Sequence, residues 1–361
     1  MERVNKWFLN INAKSVLPLL NDRHDYDHHQ HNGSKKQLQI WPPDYLPSWR
    51  YYQEHQANHW YANEHNPMDD LNGFLQVDCA WQDALLQSFA ALAIGDDKVM
   101  SLIDENKLEW AVSTQWMFAD QGARETVHKI VYNRMLELAC VSKHYTVDML
   151  TSNVFVNYLM DCTAINTYTP PPPPSLSSSS SSENEIELKA HFLITMIMCE
   201  RYLFAAPFLI INLMGESGFI NTCVKINMQV MKDEHVHYMH ALQLLHDLRL
   251  EDNNNIIDII FEDLSVLFTD MVEKMVLKIC SNLKENEKRA IMDHTRFTLY
   301  TIYVDAGVKA PDQLLIYTTT PFSVFDKNTG VDKFNLMESN STVYKSGRSG
   351  VYIPDFKTIN V

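Results

Sequence analysis

Two Glu-x-x-His pairs set the tightest limit on what this chain can become. Glu125-Thr-Val-His128 and Glu234-His-Val-His237 each place a carboxylate and an imidazole three residues apart, which is one face of a helix. Both lie in long segments whose apolar residues return at three-to-four spacing, "STQWMFADQGARETVHKIVYNRMLELA" and the run from Ile220 to Leu248. A further apolar segment carries Glu200 in "CERYLFAAPFLIINL", and another carries Asp96 after "AALAIG". Buried carboxylates are costly unless they are neutralised, hydrogen-bonded or bound to a metal. A helical bundle solves this by taking one Glu-x-x-His pair from each of two helices and a single carboxylate from each of two others, around two metal ions. Oxygen and nitrogen donors of this kind suit iron or manganese rather than a thiolate-rich zinc site.

The same spacing in "DALLQSFAALAIGDDKVMSLI" and "DMLTSNVFVNYLMDC", and over Glu185 to Leu213, Ile256 to Cys280 and Glu285 to Val304, predicts an all-α fold. Helical patterning starts near His59, after "QIWPPDYLPSW", which its prolines mark as extended chain. The stretch "TPPPPPSLSSSSSSENE", residues 169–185, cannot form regular helix and has almost nothing to bury, so it reads as a disordered insertion. Loop closure grows only slowly with length, so a single helical domain over residues 41–320 can carry it. Residues 1–40 read as a flexible polar arm whose "DRHDYDHHQHN" cluster binds no metal specifically, and residues 321–361 as a peripheral tail.

Hydrophobic residues make up 46% of the chain, an ordinary globular share, while a formal charge of -15 argues against a nucleic-acid surface. Six cysteines without a C-x-x-C pair point to a reducing compartment rather than a disulfide scaffold. The opening residues lack the apolar core of a signal peptide. The most apolar run, Leu203 to Met214, is broken by Asn212 and fits a buried helix better than a membrane span. A cytoplasmic protein is the expectation.

Tyr132 follows His128 by four residues and Glu125 by seven, so all three share a helical face. It is either core filling with its hydroxyl bonded among the ligands, or an oxidisable phenol beside an oxygen-reactive metal.

Taken together, these residues resemble the small, radical-generating subunit of class I ribonucleotide reductase, from about Pro42 to Tyr344. Asp96 is similar to the family's first aspartate ligand, Glu125 and His128 match its first E-x-x-H, and Tyr132 stands at the radical position. Glu200 matches the single glutamate of the third ligand-bearing helix, and Glu234 with His237 in "KDEHVH" matches the second E-x-x-H. The separation from Glu200 to Glu234 is the one that cellular eukaryotic members show. The resemblance implies a ferritin-like fold with additional helices, a diiron centre (manganese being an alternative), and oxygen-dependent oxidation of Tyr132 to a stable radical. It further implies a homodimer partnered by the ribonucleotide reductase large subunit. There the radical serves the reduction of ribonucleoside diphosphates to the deoxyribonucleotides needed for DNA replication.

The resemblance also bears on radical transfer. Trp49 in "PPDYLPSW" looks like the family's electron-transfer tryptophan, with Trp60 keeping the following aromatic at the family spacing. Asp233 resembles the aspartate that bridges that tryptophan to His128, Tyr344 the mobile tail tyrosine, and "YIPDFKTINV" a docking tail. Phe204, Phe208 and Val230 match apolar positions around the radical. The chain departs from the family in three places. The interval from Asp96 to Glu125 is short, which leaves Asp97 as an alternative ligand; Asp120 stands where an aromatic residue is usual; and the Pro/Ser insertion is atypical. A diiron oxidase acting directly on a small substrate and a non-catalytic binding homologue are the competing readings.

Overall fold

Helices form wherever apolar residues return every three or four positions, and the computed structural model describes them over residues 42–143 and 181–322. In chain order they are α1 (Leu46–Ala57), α2 (Leu71–Phe74), α3 (Cys79–Glu105), α4 (Val112–Lys143), α5 (Ser181–Ile197), α6 (Ala205–Leu213), α7 (Asn221–Arg249), α8 (Ile256–Ile279) and α9 (Glu285–Asp305). The architecture is an all-α, ferritin-like bundle, without strands among the described residues. The N-terminal arm with its His/Asp cluster, the segment "DMLTSNVFVNYLMDC", residues 169–180 of the Pro/Ser insertion, and the tail with Tyr344 lie outside the described residues, while the end of the insertion, residues 181–185, expected to be irregular, is the start of α5.

The stretch expected to be extended before His59 is instead helical from Leu46. Pro47 falls in the first turn of α1, where a missing N–H costs nothing and the fixed φ favours helix entry. Residues beyond Ala57 then turn, so the helix lies earlier than its apolar pattern indicated. At α3 the Asp78 side chain accepts from the Ala80 N–H at 2.9 Å, and this cap moves the helix start ahead of the periodic residues.

Helix α3 packs along α4, α5 against α7 and α8, α6 against α3 and α9, and α1 across α4 and α7. Between them lie Phe89 and Leu92 of α3, Val131 of α4, Ile194 of α5, Val230 of α7 and Phe261 of α8, all fully buried. The helical run Glu185–Leu213 is long and apolar enough to cross a membrane by length and composition, yet 94% of its apolar window is buried within the protein.

Two of the long helices are capped from elsewhere in the chain. Asp44 accepts from the Val112 and Ser113 N–H groups at 2.5 and 2.9 Å at the start of α4. Asp70 accepts from the Cys223 N–H at 2.7 Å at the start of α7. A carboxylate at a helix N-terminus satisfies orphan donors and meets the positive end of the helix dipole. Burial opposes ionisation of Asp44, but bonds from Ser113 and Val112 outweigh it and hold its pKa below the usual range. Gly73 makes the second cap reachable, since a Cβ there would sit 1.8 Å from the Phe219 carbonyl oxygen just ahead of α7. These caps fix the axial position of α4 and α7, the two helices that carry the Glu-x-x-His pairs.

Candidate metal centre

Asp96 from α3, Glu125 and His128 from α4, Glu200, and Glu234 and His237 from α7 all point into one buried volume. They form two overlapping groups, Asp96/Glu125/His128/Glu234 and Glu125/Glu200/Glu234/His237, each with its donor atoms within 4.8 Å of one another. Glu125 and Glu234 belong to both groups. His128 Nδ1 lies 2.9 Å from Glu234 Oε1 and 3.1 Å from Glu125 Oε2. His237 Nδ1 lies 2.8 Å from Glu234 Oε2, 3.0 Å from Glu125 Oε1 and 3.7 Å from Glu200 Oε1.

Glu200 reaches this volume through a local departure from α-geometry. Residues Met198–Leu203, between α5 and α6, form a π-helical turn. The wider turn rotates Glu200 relative to α5, and such bulges recur at functional sites. Nothing in the three-to-four periodicity distinguishes this turn from continuous helix. Ahead of Asp96, Gly95 lets the Phe204 ring lie against α3, since a Cβ would fall 2.2 Å from Phe204 Cε1. Asp97, the adjacent alternative, lies at the surface: its side chain is 45% exposed and pairs with Lys129, while Asp96 is fully buried.

The donor set fits metal ions. Both Asp96 carboxylate oxygens and Glu200 Oε2 are buried without a hydrogen-bond partner, a costly state unless a cation occupies the space they face. Burial, with Glu125 and Glu234 adding negative charge, pushes the pKa values of Asp96 and Glu200 well above the carboxylate range. Burial opposes charge on the histidines too, but the surrounding carboxylates overcome it and raise both His128 and His237. Burial likewise works against an ionised Glu234, yet its two histidine neighbours hold its pKa below the usual value. The set is consistent with two iron or two manganese ions.

Tyr132 is fully buried on the same face of α4. Its hydroxyl donates to Asn227 Oδ1 at 3.1 Å, so its partner is an amide and not one of the candidate ligands. Asn227 precedes Glu234 by seven residues on α7 and is held in turn by Asn212 Oδ1 at 2.8 Å. Burial and the negative field of Asp96, Glu234 and Glu125 push the phenol pKa well above its ordinary value. Phe204, Phe208 and Val230 are buried in the same core.

Behind the ligands, His128 Nε2 lies 3.1 Å from Asp233 Oδ2, and the indole N–H of Trp60 donates to that oxygen at 2.7 Å. The tryptophan that Asp233 bridges to His128 is therefore Trp60, and not Trp49 as the resemblance implied. Trp49 lies one helix earlier, on α1, its ring stacked on Tyr52 at 5.4 Å and edge-on to Trp116 at 6.0 Å. The helical first turn of α1 places Trp49 beside α4 and leaves the non-helical stretch after Ala57 to carry Trp60 inward.

The ribonucleotide reductase small-chain family matches residues 37–305. The chain belongs to that family. Among solved structures it is similar to the R2 subunit of Clostridium botulinum, at 14% identity and a TM-score of 0.62 over 79% of this chain and 88% of that one. It is also similar to the dimanganese(II) NrdF of Streptococcus sanguinis, at 14% identity and a TM-score of 0.58 over 78% and 95%. A putative class I ribonucleotide reductase of Bacillus halodurans gives 15% identity and a TM-score of 0.57 over 74% and 94%. No curated protein sequence matches the chain.

Further parts of this small chain's site had no clear sequence signal. Buried Arg124 donates to the Trp60 carbonyl at 2.7 Å, with its Nε 3.4 Å from Asp233 Oδ2, so it clamps the tryptophan and the aspartate together. It is adjacent to Glu125, yet its own periodicity does not mark it. Gln121 donates to Glu200 Oε1. Asn227 was findable, because its spacing to Glu234 places it on the inward face of α7. A partly open cavity of about 70 Å3 reaches Glu200 and Glu234 past Phe208, Met231 and His294. A larger one of about 500 Å3, walled by residues such as Tyr51, Arg201, Tyr238 and His246, touches none of the six candidate ligands.

Proposed function

We propose that this small chain generates a radical on Tyr132 and passes the oxidising equivalent to a large catalytic subunit that reduces ribonucleoside diphosphates. The observation that carries the reading is the unbroken contact from Trp60 through Asp233 to His128, which joins the buried cluster to an aromatic side chain. When bound, a pair of iron or manganese ions would supply dioxygen-driven one-electron oxidation. Asp96, Glu125, His128, Glu200, Glu234 and His237 would hold the ions.

The chain's own residues do the rest. Phe204, Phe208 and Val230 keep water from the Tyr132 ring, and a dry, low-dielectric setting protects a phenoxyl radical from reduction. Asn227 holds the phenol oxygen in one orientation. Asp233 fixes the His128 ring and receives the Trp60 N–H, so imidazole and indole are coupled through one carboxylate. Tyr344 and the residues that end in "YIPDFKTINV" would extend the relay and dock the large subunit. Homodimerisation and a cytoplasmic setting complete the proposal.

Direct oxidation of a small substrate finds less support. The cavity that meets Glu200 and Glu234 holds about 70 Å3, room for a molecule the size of dioxygen or a water or two, and the larger cavity is lined by no candidate ligand.

The test is low-temperature electron paramagnetic resonance after anaerobic ferrous loading and exposure to oxygen. A tyrosyl signal in the native chain and none in Tyr132→Phe is the expected result. Metal uptake with oxygen consumption but no radical in either protein would favour the direct oxidase; no metal uptake would favour a binding homologue.

A further inference from the structure

The two candidate histidine ligands are backed differently. His128 meets Asp233, but the outer nitrogen of His237 meets another histidine: His237 Nε2 lies 3.1 Å from His55 Nε2, the rings crossing at 68°. His55 comes from α1 and is fully buried. Its other nitrogen, Nδ1, lies 2.7 Å from Asp120 Oδ2 on α4, and Asp120 also accepts from Gln56 Nε2 at 2.6 Å. Asp120 is the acid at a position where the family usually carries an aromatic residue, and its partner explains why an acid can stand there.

The proton positions along this row follow from the chemistry at each end. His237 Nδ1 faces Glu125, Glu200 and Glu234, so it is the ligating nitrogen and Nε2 carries the hydrogen. His55 Nε2 must then accept, which places the His55 hydrogen on Nδ1, where it donates to the Asp120 carboxylate. Asp120 selects the one neutral tautomer of His55 that can accept from His237. With leucine at position 55, the His237 N–H would be buried without a partner.

We propose that His55, held by Asp120, is a positioning residue for His237 and forms a second outer arm of the metal centre; the proposal rests on reading the six-residue cluster as a two-metal site. The two arms are unlike. An imidazole that donates to a carboxylate gains basicity and is held in orientation, whereas one that donates to a neutral ring is held with less gain. The arms also approach each other, with Asp233 Oδ1 3.9 Å from His55 Nε2. The ion beside Asp96 and His128 and the ion beside Glu200 and His237 should therefore bind with different strengths, and only the second should depend on His55.

The experiment is anaerobic titration of the full chain with ferrous iron against a competing chelator, with Mössbauer spectra of the iron-57 form. The native chain should take up two inequivalent ions. His55→Leu should weaken one of them by about 10- to 100-fold, the usual loss for an outer-shell partner, and shift one quadrupole doublet while leaving the other in place. His55→Gln, whose side-chain oxygen can still accept from His237, should restore most of the affinity. Asp120→Ala, which removes the acceptor at a side chain 17% exposed, should weaken the same ion and carries the test if His55→Leu does not fold. Unchanged affinities and doublets in both variants would overturn the arm, as would equal weakening of both ions by His55→Leu without rescue by His55→Gln. A native chain that takes up fewer than two ions would instead overturn the two-metal reading, and the arm with it.

Discussion

Trp60 and Asp233 are joined by a 2.7 Å hydrogen bond from indole N–H to carboxylate, and the accepting oxygen is the one 3.1 Å from His128 Nε2. Trp60→Phe should leave metal uptake and the Tyr132 radical in place but abolish nucleotide reduction with the large subunit. Removing a hydrogen bond to a buried charge should also cost about 1.5–3 kcal/mol in chemical denaturation. Trp49→Phe should weaken its aromatic pairing with Tyr52 and Trp116, at about 1 kcal/mol, and keep turnover. Equal loss of turnover in both variants would return Trp49 to the relay.

Tyr132 and Asn227 make a separable prediction. Tyr132→Phe removes the hydroxyl that donates to Asn227 Oδ1 but leaves the ring in a closed core. Stability should fall by about 1 kcal/mol, the net worth of one hydrogen bond, and both metal ions should still bind. A variant that loses metal along with its radical would mean that the phenol supports the ligands rather than serving as the oxidised group.

Gly95 allows the close packing that accompanies the π-turn. The Cβ of Gly95→Ala would lie 2.2 Å from Phe204 Cε1, and overpacking of this kind costs about 1–3 kcal/mol. Phe204 directly follows the turn that carries Glu200, so the displaced ring should disturb metal uptake as well as stability. Phe204→Leu should relieve the clash, and a double-mutant cycle by denaturant unfolding measures the coupling. Purely additive effects would show that the ring can move aside without consequence.

The sequence announced most of this architecture because helix burial and ligand spacing obey the same period. Glu125 with His128, Glu234 with His237, and the apolar residues beside them repeat on one helical face, so their convergence was legible before any coordinates. Asp96 and Asp97 are neighbours in sequence, and only packing of α3 shows which of them faces inward. Trp49 and Trp60 are both aromatic residues near the start of the helical region, and only the turn after Ala57 shows that Trp60 is the one that reaches Asp233. The π-turn left no periodic trace, and Arg124, His55 and Asp120 act through contacts between distant segments that local spacing does not encode.

Two buried histidines away from the ligand set predict how stability responds to acid. Burial holds His294 neutral and pushes its pKa down to about 3, with Arg201 adding to the effect, while Nδ1 bonds Thr320 Oγ1 at 2.7 Å. His240, bonded to Ser48 at 2.8 Å, is pushed down to about 3 by burial and by the nearby His237 and His55. In the unfolded chain each histidine takes up a proton near its ordinary pKa of about 6.5, so below that pH the unfolded state binds more protons than the folded state. The stabilisation is therefore complete above about pH 6.5 and is lost progressively as pH falls toward the folded value, by up to about 1.4 kcal/mol per pH unit for each group. His294→Gln can keep the bond to Thr320 but cannot titrate, so its unfolding free energy should fall less steeply than that of the native chain between about pH 6.5 and 5. Parallel curves in urea titrations across that range would mean that His294 accepts a proton in the folded protein, and that the wall of the cavity beside Glu200 admits charge.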